Sequence, residues 1–179
     1  MPDYTASVDI AAPPDIVFDH LVTPEGMVAW MGQHADLDPR PDGTFSVDID
    51  GSPIRGRYLE IDPPHRVVVS WGVAGSDVHP PGSSRVEFTL VPVGGGTRLD
   101  LVHRGLPEAH APGYARGWGH FFGRLQVCAA GGDPGPDPWD GQWGPDAPTA
   151  RDRFDELAQD HLGRPGVTTG RMFASEGLK

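Results

Sequence analysis

His103 is the polar side chain best placed to do chemistry. In residues 97–104, Leu99, Leu101 and His103 alternate with Arg98, Asp100 and Val102, so the histidine shares a strand face with two leucines. An imidazole on an apolar face can orient a ligand or exchange a proton near neutral pH. The plainer reading is a histidine at a strand's end, satisfied by a backbone carbonyl or water. Catalysis would require a second polar group within reach, and Arg57 or Tyr58 is the expected one.

Other titratable groups point less clearly to a site. His120 falls two residues past Trp118 on a helical pattern, which turns it toward the surface. His34, Asp36 and Asp38 alternate along one strand face, but no further ligand with suitable spacing accompanies them, so a solvated edge is expected. Glu87 and Asp100 lie opposite the apolar positions of their segments and are expected in solvent, paired with arginines across strands. Cys128 is the single cysteine and reads as a small buried hydrophobe. No nucleophile elbow, phosphate loop, dinucleotide fingerprint, Cys-x-x-Cys or His-Glu-x-x-His occurs, and neither a metal nor a cofactor is expected.

The aromatic side chains supply the stronger pattern. Tyr114, Trp118, Phe121, Phe122 and Leu125 are spaced as one face of a helix over residues 113–128. Gly117 and Gly119 flank the tryptophan, and large rings beside glycines leave irregular space. Core packing accounts for many such stripes. A mostly apolar cavity with a few polar groups is the usual form of a small-ligand site. The expected walls are Trp30, Phe45, Trp71, Phe88, Leu101, Tyr114, Trp118 and Phe122, with His103 as polar anchor.

The elements that must position these residues follow in order. Residues 4–11 alternate as a strand. Pro13 and Pro14 open a helix with Val17, Phe18 and Leu21 on its buried face. Thr23-Pro24-Glu25 caps and starts a second short helix carrying Met27, Trp30 and Met31. Strands are expected at 34–37, 44–49, 54–61, 66–71, 85–93 and 97–104, with Asp50-Gly51 as a hairpin turn and residues 72–84 as a loop. Short turns between consecutive strands imply an antiparallel sheet, covered on one face by the long aromatic helix.

Beyond residue 130 the composition changes. Residues 131–149 contain five Gly, five Pro and four Asp in nineteen positions, which cannot hold regular structure. Trp139 and Trp143 are poor choices for a free linker, so at least one is expected to dock on the domain. Residues 150–162 repeat Phe154, Leu157, Ala158 and His161 at helical spacing. The expected division is a domain at 1–131, a linker at 132–149 and a short helical tail at 150–179.

The 179 residues carry a net charge of −11, and the one lysine is Lys179. That balance disfavours nucleic acid and anionic membrane surfaces as partners. No apolar run approaches the roughly 18 residues of a membrane span, and the N-terminus has no basic-then-apolar signal. A reduced, cytoplasmic setting is expected, and a homodimer is left open.

Several motifs come in a recognisable order: Ala12-Pro13-Pro14-Asp15-Ile16-Val17-Phe18, Thr23-Pro24-Glu25 with Trp30, and Gly56-Arg57-Tyr58-Leu59-Glu60-Ile61-Asp62-Pro63-Pro64. Val67-Val68-Val69-Ser70-Trp71, Gly96-Thr97-Arg98-Leu99 running to His103, and Gly117-Trp118 complete the set. With these, residues 4 to about 131 resemble the SRPBCC (START-like, helix-grip) superfamily, in the branch of the activator of Hsp90 ATPase. The resemblance implies an α+β helix-grip fold: a curved antiparallel sheet of six to seven strands wrapped around the long C-terminal helix, two short helices after strand one, and a cavity between. It transfers no catalytic motif, since the superfamily includes carriers, cyclases and co-chaperone domains. The tail, from Arg153-Phe154-Asp155-Glu156-Leu157 to Gly170-Arg171-Met172-Phe173, resembles the opening of a TfoX N-terminal-like domain. The preferred function is binding of a small apolar or aromatic molecule. The alternatives are a cyclase-, dehydratase- or hydrolase-like enzyme in the same pocket, or a co-chaperone-like interaction module.

Overall fold

Alternation sets which side of each strand is buried, and the turns set which strands are neighbours. The computed structural model describes residues 3–139, all within the unit Met1–Ala147. Seven strands form one curved, unclosed antiparallel sheet: β1 (Tyr4–Ile10), β2 (His34–Leu37), β3 (Thr44–Ile49), β4 (Ser52–Asp62), β5 (Arg66–Trp71), β6 (Ser84–Val93) and β7 (Gly96–Arg104). Their order across the sheet is β1-β7-β6-β5-β4-β3-β2. Six consecutive strands form a meander, and β1 closes against β7, with Tyr4 opposite His103. The β3–β4 connection is the hairpin expected of Asp50-Gly51. Both residues have positive φ, 45° and 89°, as a tight primed turn requires.

Two short helices, α1 (Pro14–Val22) and α2 (Pro24–Trp30), follow β1. Thr23 separates them and caps α2, its Oγ1 accepting from the Gly26 amide at 3.0 Å. The last turn of α1 has carbonyls without helical donors, and two buried rings supply donors. Trp30 Nε1 donates to the His20 carbonyl at 2.9 Å, and the Tyr58 hydroxyl donates to the Leu21 carbonyl at 3.0 Å.

After β7 a single 3-10 turn (Glu108–His110) leads into α3 (Ala111–Ala129). The helix extends slightly beyond the predicted stretch at both ends. It buries Tyr114, Trp118, Phe121, Phe122 and Leu125 against the inward faces of the strands. Phe45, Val47 and Ile49 of β3, Val67, Val69 and Trp71 of β5, Val86, Phe88 and Leu90 of β6, and Leu99 and Leu101 of β7 complete one core with the inward residues of α1 and α2. Residues 131–139 fold back onto the outer side of α3. Trp139 packs on Phe121, with ring centroids 5.3 Å apart, and stacks on His120 at 5.3 Å. One of the two linker tryptophans therefore docks. Trp143, the predicted helix at 150–162 and the TfoX-like tail lie outside the described residues. Among the described residues, no helix is long and apolar enough to cross a membrane.

Candidate functional site

The inward ends of β5, β6 and β7 meet the first turns of α3 at one corner of the core, and polar side chains collect there. Trp71 ends β5, Ser84 begins β6 and pairs with it across the sheet, and His103 lies one residue from the end of β7. Tyr114 and Trp118 are one helical turn apart on α3, so both point into the same corner. The loop between β5 and β6 adds His79. Trp71, His79, His103, Tyr114 and Trp118 are fully buried.

Their polar atoms satisfy one another. Trp71 Nε1 donates to the Tyr114 hydroxyl at 3.0 Å. That hydroxyl lies 3.4 Å from His79 Nδ1, and His79 Nε2 lies 2.7 Å from Ser84 Oγ. Ser84 Oγ is also 2.9 Å from His103 Nε2, and it donates to the Trp71 carbonyl at 3.0 Å. Trp118 Nε1 donates to His103 Nδ1 at 3.2 Å.

These contacts assign the protons. An indole N–H can only donate, so His103 Nδ1 is the acceptor and the His103 proton sits on Nε2, directed at Ser84. The single Ser84 proton goes to the Trp71 carbonyl, which can only accept. His79 Nε2 must then also donate to Ser84, leaving its Nδ1 to accept from Tyr114. Both histidines are neutral, with their protons on Nε2. Burial lowers the His79 pKa to about 4, with the neighbouring His110 adding to the effect. Burial also holds His103 well below the usual histidine range, aided by His79. Burial pushes the Tyr114 hydroxyl upward, so it stays protonated.

The Ser84–His103 and Ser84–His79 distances resemble those of a nucleophile and its base. The proton directions oppose that role. Each histidine already presents an N–H to the serine oxygen, so neither can take its proton in this arrangement. Arg57 and Tyr58, the expected polar neighbours of His103, are not its partners. The Arg57 side chain is 60% exposed and pairs with Asp42, and Tyr58 is committed to α1. Their strand, β4, is separated from β7 by β5 and β6, beyond side-chain reach. The polar neighbours are Ser84 and His79.

The predicted wall residues come together around this corner. Trp71 contacts Trp118 at a centroid separation of 5.3 Å and Phe45 at 5.9 Å. Trp118 contacts Phe88 at 6.0 Å and Phe122 at 5.8 Å, and Trp30 meets Phe122 at 6.3 Å. Leu101 is buried in the same core. Tyr114 sets its ring edge-to-face against His103 at 5.0 Å.

The remaining candidates lie elsewhere. His34 and Asp36 are exposed on the edge strand β2, and Asp38 is bound to Arg40 at 2.8 Å. A polar cleft of about 390 Å3 adjoins that turn, lined by Asp38, Arg40, Asp42, Thr44 and Arg57 among others. Asp100 pairs with Arg98 of its own strand rather than with an arginine across strands, and its cross-strand partner is the Ser7 hydroxyl at 2.6 Å. Glu87 also finds arginines, Arg66, Arg85 and Arg104, but it is not in solvent: they converge on it and leave it 7% exposed. His120 is only partly exposed, bonded through Nε2 to Asp137 at 2.6 Å. Cys128 is half-buried, and its thiol is pushed up by burial against the opposing pull of Arg124.

A curved antiparallel sheet closed by one long helix, with aromatic and neutral polar side chains between them, defines a helix-grip protein. Residues 11–130 match the family model of the activator of Hsp90 ATPase homolog 1-like proteins, and the chain belongs to that family. No curated protein sequence matches it. Among solved structures, it is 45% identical to an AHSA1-like protein of Rhizobium etli, covering 76% of this chain and 87% of that one with a TM-score of 0.63. The Aha1 dimer of Colwellia psychrerythraea shares the fold at 16% identity, covering 74% and 98% with a TM-score of 0.66. So does an HSP90 activator of Plasmodium falciparum, at 23% identity, 70% and 94% coverage and a TM-score of 0.60.

Proposed function

We propose that the domain at residues 1–131 binds a small, mostly apolar or aromatic molecule between α3 and the sheet. Trp30, Phe45, Trp71, Phe88, Leu101, Tyr114, Trp118 and Phe122 would contact it, and His103 would serve as part of a neutral polar anchor. One observation carries this reading: two histidines, a serine, a tyrosine hydroxyl and two indole N–H groups converge in an otherwise apolar core. Apolar side chains would fill such a corner at less desolvation cost. Apolar walls with a few convergent polar groups are what a small-ligand site requires. The rings are in contact, so a ligand must part them. Titration of the tryptophan fluorescence with a panel of apolar and aromatic compounds should give a saturable, one-to-one change for some member. Native mass spectrometry of freshly purified protein should show a bound small molecule. No saturable change with any compound, together with a bare mass, would overturn the reading.

The family's description favours a second reading, a co-chaperone-like interaction module. Such a module needs a contiguous apolar patch. The exposed large apolar side chains among the described residues, Ile16, Leu59, Val78, Val93 and Val127, sit on five different segments, which gives it less support. An enzyme in the same pocket has lost its expected base, because His103 directs a proton toward Ser84 rather than a lone pair. A cytoplasmic location and a homodimer complete the proposal; sedimentation equilibrium decides the second.

A further inference from the structure

We propose that a ligand joins the buried hydrogen-bond chain between Tyr114 and His79, and that the group it inserts is an uncharged hydroxyl such as that of a phenol. This deepens the interior-binding reading and rests on it. The place follows from geometry. At 3.4 Å, Tyr114 to His79 is the longest hydrogen bond of the chain, while the two contacts at Ser84 Oγ with histidine nitrogens measure 2.7 and 2.9 Å. It also joins two separate elements: Tyr114 is on α3, and His79 lies on residues 72–83, a loop bridged to β4 through Val73 and Ile54. That loop bends at Gly75 and Gly82, with φ of 87° and 84° and open space around both. Its foot is held, because Gly72 lies so close to the Pro80 carbonyl that no side chain would fit. His79 itself is tied down, its carbonyl accepting from the Val73 amide at 2.8 Å and its amide donating to Ser76 Oγ at 3.0 Å, so the gap opens at the two side chains rather than by movement of the loop.

The chemistry of the inserted group follows from the proton directions. Tyr114 gives a proton toward His79, and His79 Nδ1 needs one. A hydroxyl placed between them accepts the first and supplies the second, so every buried polar atom keeps a partner. An ether or a carbonyl accepts from Tyr114 but gives nothing to His79, leaving a buried acceptor without a donor. A carboxylate fails for the same reason: it accepts from Tyr114 but gives nothing to His79, whose ring also neighbours His110 at 5.9 Å. Sites built around a substrate hydroxyl discriminate strongly against analogues that lack it.

Calorimetric titration of the full chain with naphthol, methoxynaphthalene, naphthalene and naphthoate separates these cases. Naphthol should bind about tenfold or more tighter than naphthalene or methoxynaphthalene, and naphthoate should give no heat of binding. His79→Phe removes the acceptor of the ligand's proton and should retain naphthalene binding while bringing naphthol to within about twofold of it. Tyr114→Phe leaves His79 Nδ1 in need of a donor and should keep naphthol ahead of methoxynaphthalene, which tests the assignment even if H79F does not fold. Equal affinity for naphthol, naphthalene and methoxynaphthalene would overturn the hydroxyl assignment and leave the interior site standing. A naphthol preference that survives His79→Phe, or one that is lost in Tyr114→Phe, would place the hydroxyl elsewhere. Binding of none of the four would defeat the interior-binding reading itself.

Discussion

The two faces of the β6–β7 pair solve the same problem in opposite ways. Ser84, Val86 and His103 point inward, while Arg85, Glu87 and Arg104 point outward, and the two sets are neighbours along the same two strands. On the inner face the polar groups are neutral and hydrogen-bond one another in a closed ring. On the outer face they are charged: Arg85 stands directly opposite Arg104 in the register, a like-charge pair that opposes strand association. Glu87 bridges the two at 3.0 and 2.8 Å, and Arg66 approaches the same carboxylate at 3.4 Å. Charge is tolerable where water screens it and costly where burial removes that screening. Alternation with a period of two thus sorts one stretch of sequence into two electrostatic regimes.

Acid should break the inner regime first, and this is the largest expected effect. Burial leaves His79 and His103 neutral in the fold, so the unfolded chain binds more protons once the pH drops below the ordinary histidine value of 6.5. Stability must therefore fall as the pH is lowered from about 6.5 toward the His79 value of about 4. Glu87 behaves differently in position, though not in sign. Burial pushes its carboxyl up, but hydrogen bonds and charge from Arg104, with Arg85 and Arg66, pull it below the ordinary value of 4.5. Its stabilisation is complete above that value and is lost only below it. Denaturant midpoints measured across the acid range should drop in the histidine window, before the carboxylate window is reached. A flat profile down to 4.5 would show that the inner circuit does not titrate with folding.

Ser84→Val comes next. The hydroxyl is the hub of the circuit, receiving protons from both histidines and giving its own to the Trp71 carbonyl. Valine fills similar space but removes the acceptor of both histidine Nε2–H groups, at a cost of about 2–4 kcal/mol. The loss, measured by urea unfolding, should not change with ionic strength, because no charge is involved.

The unequal legibility of this corner has the same origin as its chemistry. His103, Trp71, Tyr114 and Trp118 could be placed together because each lies on a periodic face, of period two on a strand or 3.6 on a helix. The strands themselves were legible for that reason, and the Asp50-Gly51 turn supplied the hairpin register. His79 lies in a stretch with no period at all, and nothing in the local sequence says that the loop returns to the core. Ser84 was readable in principle, since it is two residues before Val86 and continues that strand's inward set. It was hidden because the strand begins at a serine pair that also reads as loop. Assigning Arg57 and Tyr58 to His103 failed for a longer-range reason: which strands are neighbours follows from turns, but how far apart β4 and β7 lie follows only from the whole sheet order. The burial of Glu87 is of that kind too. Its outward direction follows from alternation, whereas the convergence of three arginines depends on registers between β5, β6 and β7 that no single segment encodes.

Glu87→Gln should have the smallest effect, and it tests the comparison most sharply. The amide keeps the shape of the carboxylate and one acceptor oxygen. It replaces the other oxygen with an NH2 donor facing an arginine, so the charge and one acceptor are lost together. Arg85 and Arg104 then face each other across the strands with no anion between them, beside Arg66. The repulsion is moderated by water, since the Arg85 and Arg104 side chains are 50% and 46% exposed, and the cost at low salt should be about 1 kcal/mol. Raising the ionic strength screens exposed charges at distances beyond the Debye length of about 8 Å under physiological conditions and less at higher salt. The gap between E87Q and the parent should therefore narrow with added salt, whereas the gap for S84V should stay constant. The two salt responses together discriminate the regimes better than either loss of stability alone. A salt-independent loss in E87Q would mean that the carboxylate acts through buried hydrogen bonds, as the inner circuit does. The two faces would then differ in composition but not in how they hold the strands.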